Sequence, residues 1–382
     1  MLLQACRRWR VIAITTPTLW TDIVIPSSGD HRLDLDAALL YVERSGSCPV
    51  SLIWHHRGWN QPTVVHDILS PILGRLKNIT ISTRGFRSRD SLLAILKAMS
   101  FPILESLRCY VSRFPFLDNA ALATVNLHTP RLRHGAFTNY LLPTGAFSSL
   151  VTLEIALSPG LIWRFNAAKL FDLLCNVAQT LKFLRFRASN AVLQGYAPST
   201  HKIQLPELVA LDLRSTSKLL TFISTPNLRT LILEDYTGDP TSPFTSFRAP
   251  KLTHLELDGI PLLDLETIPD FPWRFQELGA VELYDCRSTK SFFRHASSIC
   301  NSVPAFPSLH SIVINDPDTF PSIRSMVERL SAAYPGYPGL KRLRIVTWVR
   351  ALEVADMEWL TAQGIRFSEG LRTKRSWTST GF

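Results

Sequence analysis

No apolar run among the 382 residues approaches the roughly 20 that a helical membrane span requires. That leaves no candidate for such a span and sets the expectation of a soluble chain. A secretory leader is not expected either. Arg7, Arg8 and Arg10 interrupt the N-terminal apolar stretch, and Thr15, Thr16 and Pro17 end it. The six cysteines (Cys6, Cys48, Cys109, Cys175, Cys286 and Cys300) contain no C-x-x-C pair, the spacing of zinc ribbons and redox motifs. With no leader expected, they read as reduced thiols of an intracellular protein, cytoplasmic or nuclear. Asn78-Ile79-Thr80 matches a glycosylation acceptor, but without secretion the match has no meaning.

The motifs of common enzyme chemistry are also missing. There is no G-x-x-x-x-G-K-[ST], G-x-S-x-G or H-E-x-x-H, and no glycine-rich loop at dinucleotide-binding spacing. His55 and His56, with His66 nearby, suggest a metal site at first sight. Neighbouring strand residues point to opposite faces, however, so the pair cannot chelate one ion without distortion. The carboxylates of "EDYTGDP" (234–240) and "NDPDTF" (315–320) sit among ordinary turn residues. Neither an enzyme nor a bound cofactor or metal is expected.

What the chain does have is apolar substance. With 46% hydrophobic and 19% charged residues, it can bury enough surface to offset the entropy of ordering. Its net charge of +10 is compatible with nucleic acid or acidic partners. The longest basic cluster is nevertheless only "RTKR" at 372–375, so the charge reads as a basic surface spread over a large protein.

The main signal is a repeat: often Pro, then Leu-x-x-Leu-x-Leu. Three copies follow one another as "LPELVALDL" (205–213), "TPNLRTLIL" (225–233) and "APKLTHLEL" (249–257). The leading residues are Leu76, Leu104, Leu132, Leu150, Leu181, Leu208, Leu228, Leu252, Leu278, Leu309 and Leu340. Ten intervals span 264 residues, a mean of about 26, inside the leucine-rich-repeat range. In Leu-x-Leu the period is two, so both leucines face one side of a short strand. Pro two residues before the leading leucine sets φ where no ladder partner needs an amide. One unit cannot bury its own face, whereas stacked units share a core. Helical returns are expected over 90–100, 167–181 and 322–334, and an irregular one over 215–225. The expected fold is α/β: an irregular, curved leucine-rich-repeat-like solenoid over 26–365, with helical or irregular returns. A short helical segment precedes it at 1–25, and a basic, flexible tail follows at 366–382. Cys286, just after the strand phrase, reads as a loop-satisfying structural thiol.

The beginning of the chain carries a resemblance. "ACRRWRVIAITTPTLWTDIVI" (5–25) holds a C-[RK]-x-W-R-type phrase, then a "TP-x-LW" turn and a strand. A helix ending in Ser45-Gly46 follows, then a strand starting at Cys48-Pro49. This ordered series resembles the start of fungal F-box proteins, especially those of mushroom-forming fungi, over about the first 55 residues. In that family a further helix with an LP-x-E-like phrase comes first and supplies much of the adaptor contact. This sequence starts past that point, so the resemblance implies a partial, N-terminally truncated F-box. It implies a substrate-recognition subunit of an SCF-type ubiquitin ligase, with Leu2, Leu3, Cys6 and Trp9 facing the adaptor. The competing reading makes Cys6, Trp9 and Ile12 or Ala13 an apolar cap on the first repeat. Trp20 is expected in the core.

Partner recognition is expected on the concave strand face, at the positions between the core leucines. These are Arg108, Tyr110, Phe183, Arg185 and Arg187, then Asp212, Arg214, Ile232, Glu234, His254, Glu256, Asp258, Glu282 and Tyr284, and finally Arg342 and Arg344. The signs run basic, acidic, basic, which suits a partner with a basic segment. Ordinary solvated charge on a sheet face is the other reading. The expected class is a protein-binding module, monomeric outside its complex, with an unknown protein substrate and a ligase adaptor as partners. A leucine-rich-repeat scaffold that no longer engages the adaptor is the alternative. A nucleic-acid binder ranks third, because the acidic centre opposes one.

Overall fold

A computed structural model describes residues 6–26, 31–56, 70–83, 100–111, 128–139, 147–158, 167–193, 202–234, 247–260, 262, 275–286, 289–296, 299–300, 303–304, 306–333, 339–346 and 352–369. The chain divides into two units. The first comprises Met1–Tyr196 with Ile203–Glu207, and the second Ala197–Lys202 with Leu208–Phe382.

In the first unit seven parallel strands lie in chain order. They are β1 (Asp22–Ile25), β2 (Val50–His56), β3 (Leu76–Thr83), β4 (Ser106–Val111), β5 (His134–Thr138), β6 (Thr152–Ala156) and β7 (Phe183–Arg187). The second unit repeats the arrangement with β8 (Ala210–Arg214), β9 (Thr230–Glu234), β10 (His254–Asp258), β11 (Ala280–Tyr284), β12 (Ser311–Ile314), β13 (Arg342–Ile345) and β14 (Arg366–Glu369). One strand per repeat, each parallel to the last, is the α/β leucine-rich-repeat type of architecture expected from the spacing. The expected tail at 366 opens instead with β14, which pairs in register with β13. Only Phe367 of its four residues is half-buried and the rest are exposed, so no period-two pattern marks it. Among the described residues no helix is long and apolar enough to cross a membrane.

All eleven leading leucines are buried. Seven of them close a four-residue turn with their own amide; among these, Leu104 donates to Phe101 O, Leu132 to Thr129 O, Leu228 to Thr225 O and Leu252 to Ala249 O, at 3.0–3.3 Å. Proline occupies the second place of those four turns, where its fixed φ is already correct. The first place is a core position that the repeat phrase did not reveal. Phe101, Phe147, Phe275 and Phe306 there are almost completely buried.

Immediately after the leading leucine, the amide reaches back one repeat. Glu105 N donates to Lys77 O, Arg133 N to Glu105 O, Val151 N to Arg133 O and Lys182 N to Val151 O, at 2.8–2.9 Å. In the second unit the series runs from Arg229 N on Val209 O to Lys341 N on His310 O. At the other end of the strand the chain turns through a left-handed residue. Asn139, Ser215, Gly259 and Asp285, each the first residue past its strand, have φ of 58°, 57°, 69° and 49°. Asn, Ser, Asp and Gly are residue types with either no Cβ or a short polar side chain, which suits such a turn.

The returns follow the sequence in part. Helix α3 (Ala167–Val177) buries Leu170, Leu173, Leu174 and Val177, the i, i+3, i+4, i+7 stripe. Over 215–225 the return is a 3-10 turn, Ser217–Thr221. Helix α4 (Phe320–Ala333) buries Ile323, Met326, Val327 and Leu330. The expected helix over 90–100 lies outside the described residues, apart from Ser100.

At the start of the first unit, α1 (Arg7–Thr15) is followed by a 3-10 turn, Pro17–Trp20. Trp20 is buried, as expected, and its indole Nε1 donates to Ala13 O at 2.6 Å. Its ring meets Tyr41 edge-on at 4.9 Å and lies under the Arg44 guanidinium at 4.5 Å. Both partners belong to α2 (His31–Arg44), so one tryptophan ties α1 to α2. The Ser45-Gly46 phrase is the exit of α2: Gly46 takes φ 54°, and its amide donates to Glu43 O.

The buried leucines carry most of the apolar stabilisation. Leu255→Ala, at a site with 0% exposure, is expected to lower the unfolding free energy by about 2–5 kcal/mol. Denaturant titration of wild type and variant with equal slopes checks this, and a loss below about 0.5 kcal/mol would contradict the assigned core.

Candidate functional site

The strand register turns the scattered face positions into rows. In the second unit one row runs Asp212, Ile232, Glu256, Glu282, Val313, Arg344 on successive strands. Two residues further along, a second row runs Arg214, Glu234, Asp258, Tyr284. Two residues earlier lie Ala210, Thr230, His254, Ala280, Ser311, Arg342. All the second-unit positions expected on the partner face therefore share one side of one set of strands.

Most of the carboxylates among them are withdrawn from solvent. Asp212, Glu256, Asp258 and Glu282 are buried, Asp258 to 3% exposure, and so is Tyr284. Glu234, Arg214 and Arg344 are half-buried, and Arg342 is exposed. Buried carboxylates need partners. Arg214 Nε meets Asp212 Oδ1 at 3.2 Å, and Arg214 Nη1 meets Glu234 Oε2 at 3.1 Å. Burial works against the Arg214 charge, but Asp212 first, then Glu234 and Glu256, more than compensate and raise its pKa. His254 Nε2 lies 3.6 Å from Glu282 Oε1, and the Tyr284 hydroxyl donates to Glu282 Oε2 at 2.7 Å.

His254, Glu256 and Glu282 were expected only as separate face positions. In the structure one ligand atom from each lies within 4.8 Å of the other two. Spacing motifs miss this set because Glu282 belongs to the next repeat. The signal was present in another form: His254-x-Glu256 faces one side by period two, and Glu282 holds the place of Glu256 one repeat later.

The first unit presents Thr80, Arg108, Ala136, Glu154, Arg185 in one row and Ser82, Tyr110, Thr138, Ala156, Arg187 in the next. Phe183 begins the same strand, half-buried beside Thr152. Arg108 and Arg185 are half-buried, whereas Tyr110 and Arg187 are exposed. Glu154, which the sequence reading did not single out, lies 3.6 Å from Arg185 and offsets its charge. His134, one row earlier, is held below its ordinary pKa by burial first, then by Arg108 and Arg133 against an opposing Glu105.

Of the residues that the resemblance assigns to an adaptor, Leu2 and Leu3 lie outside the described residues. Cys6 caps α1, its Sγ accepting from Trp9 N at 3.4 Å. Trp9 is 55% exposed, and Val11, Ile12, Ile14 and Leu19 are exposed as well, whereas Ala13 is the buried residue of α1. The cap reading of Trp9 and Ile12 therefore fails as a burial statement; of that stripe only Ala13 turns inward.

Cys286 is buried, its thiol donating to Leu257 O at 3.4 Å and Tyr284 O at 3.3 Å, and burial pushes its pKa up to about 12. It is a loop-satisfying thiol, as expected. His55 is exposed on β2, while His66 and the His56 side chain lie outside the described residues. In "NDPDTF" the Asp316 carboxylate accepts from Asp318 N and Thr319 Oγ1, the bonding of a turn. Residues 235–240 lie outside the described part.

Strand order, register and buried leucines define an α/β protein of the leucine-rich-repeat type. No protein-family model matches the chain, and no curated protein matches it. Among solved structures it is similar to a chain in the crystal structure of the Rad7 and Elc1 complex in yeast. Identity is 12% over 92% of this chain and 76% of that one, with a TM-score of 0.39, a likeness too slight to carry a functional argument.

Two outcomes follow from the burial pattern. Cys6 and Cys175 are exposed while Cys109 and Cys286 are buried, with Cys109 also pushed up to about 12 by desolvation. Maleimide at neutral pH is expected to label the first pair in the native protein and the second only after unfolding. Mass mapping reads this, and native labelling of Cys286 ahead of Cys175 would overturn the assignment. For His134, the unfolded chain holds more protons than the folded one between the lowered pKa and the ordinary 6.5. Stability is therefore lost as pH falls through that window. His134→Gln is expected to flatten this part of the stability–pH curve, measured by denaturant midpoints, and an unchanged slope would contradict it.

Proposed function

We propose that the protein is a recognition subunit of an SCF-type ubiquitin ligase, with its adaptor on α1 and its substrate on the strand face. The observation that carries the reading is the orientation of α1. Trp9, Val11, Ile12 and Ile14 face outward, with Leu19 just beyond, while only Ala13 of this helix is buried. A nine-residue helix that leaves its aromatic and branched residues to solvent has the composition of a docking helix rather than a packed one. The order of C-R-x-W-R, TP-x-LW and SG phrases supports the same lineage, and the first two build and anchor this helix.

The strand face suits a protein ligand with a basic segment. In the second unit the rows place five carboxylates, Asp212, Glu234, Glu256, Asp258 and Glu282, around Arg214 and His254, flanked by Arg342 and Arg344. Glu234, half-buried where the other four carboxylates are buried, is the one that a lysine or arginine side chain can reach without unfolding the sheet. Recognition by such a face is binding, not catalysis, so the protein is read as a non-enzyme. A repeat scaffold without an adaptor is the second reading.

The test is capture of a recombinant SCF adaptor by the purified chain. Wild type is expected to bind, and Trp9→Ala with Ile12→Ala to lose at least tenfold in affinity with an unchanged melting temperature, since both side chains are exposed. Absence of wild-type binding, or equal binding by the double variant, refutes the adaptor role.

A further inference from the structure

We infer that His254, Glu256 and Glu282 form a binding site for a first-row divalent cation, with Zn2+ as the fitting ion. The site joins neighbouring strands β10 and β11. His254 and Glu256 project from one side of β10 by period two, and Glu282 is the cross-strand partner of Glu256. The three potential ligand atoms lie within 4.8 Å of one another, and Nε2 of His254 is already 3.6 Å from Oε1 of Glu282. Metal–ligand bonds of about 2.0–2.2 Å need ligand atoms only roughly 3.3 Å apart, a closure that side-chain rotation supplies without moving the strands.

Three further features separate this set from an ordinary patch of surface acids. One member is an imidazole, which favours Zn2+ and its first-row neighbours over Mg2+ or Ca2+. Both glutamates are nearly buried and directly opposite each other, an arrangement whose mutual repulsion a bound cation relieves. Tyr284 then supplies an outer shell. Its hydroxyl donates to Oε2 of Glu282 at 2.7 Å, orienting that carboxylate and leaving Oε1 turned toward His254. Three protein ligands leave the fourth position of a tetrahedral zinc open to water or to a side chain from a bound partner.

The experiment is Zn2+ titration of the full chain by competition with a chromophoric chelator, with Mg2+ run in parallel and Co2+ used as a spectroscopic stand-in. Wild type is expected to bind one more Zn2+ equivalent than His254→Ala and than Glu282→Gln, the latter a near-isosteric change that preserves the fold. Tyr284→Phe removes no ligand and is expected to weaken Zn2+ by roughly tenfold or more. The Co2+ complex should show the d–d absorption of a low-coordinate site, lost in His254→Ala, and wild type should melt at a higher temperature with Zn2+ than without. Equal stoichiometry and affinity in all variants would place the ion at other ligands, such as exposed thiols, and overturn the proposal. So would the absence of wild-type Zn2+ binding, or Mg2+ binding as tight as Zn2+.

Discussion

Within each unit, successive leading-leucine repeats are tied by one recurring backbone hydrogen bond, from the amide after the leading leucine to the carbonyl of its counterpart one repeat earlier. The leucine just before that amide closes a turn and is buried, so burial and ladder are set within two residues of each other. A unit that lost this register by one residue would swing its two strand leucines to the opposite face and expose them. The constancy of Leu-x-x-Leu-x-Leu against repeat intervals of 18 to 31 residues follows from this. The return segment is free to vary in length because the register is decided before it begins.

The same bond sets the chemistry of the strand face. With parallel strands in strict register, residues at equal places in successive repeats become direct neighbours. Glu256 and Glu282 are thereby placed side by side, Arg214 beside Glu234, and Asp258 beside Tyr284. The resulting rows are charged but substantially buried, so each carboxylate answers to the groups across the strand rather than to water. Arginine 214 shows the outcome: desolvation opposes its charge, and the flanking carboxylates outweigh that opposition.

Much of this was legible in advance. The leading leucines, the strand alternation, the core position of Trp20 and the structural role of Cys286 follow from spacing and residue chemistry alone. The buried position before the proline was not legible, since Phe, Thr, Ala and Leu all occupy it and only the depth of the turn selects for apolar volume there. Glu154 was passed over because its effect, offsetting Arg185, depends on which strands are neighbours. Trp9 illustrates the converse. Its helix has an apolar character that suggests burial, and only packing shows that Ala13 is the residue turned inward.

Composition and periodicity by themselves determined that the chain would stack one short strand per repeat over a shared leucine core. They also determined which side chains would stand on the other face, because strand alternation is a local rule. Which of those side chains would touch, how deeply they would be buried and which charges would meet were decided by the tertiary structure. The reason is that contact between repeats depends on the backbone register across some 20 to 30 residues of variable return, which no local rule reaches. His254, Glu256 and Glu282 lie on opposite sides of that divide: two are neighbours by alternation, and the third joins them only through the fold.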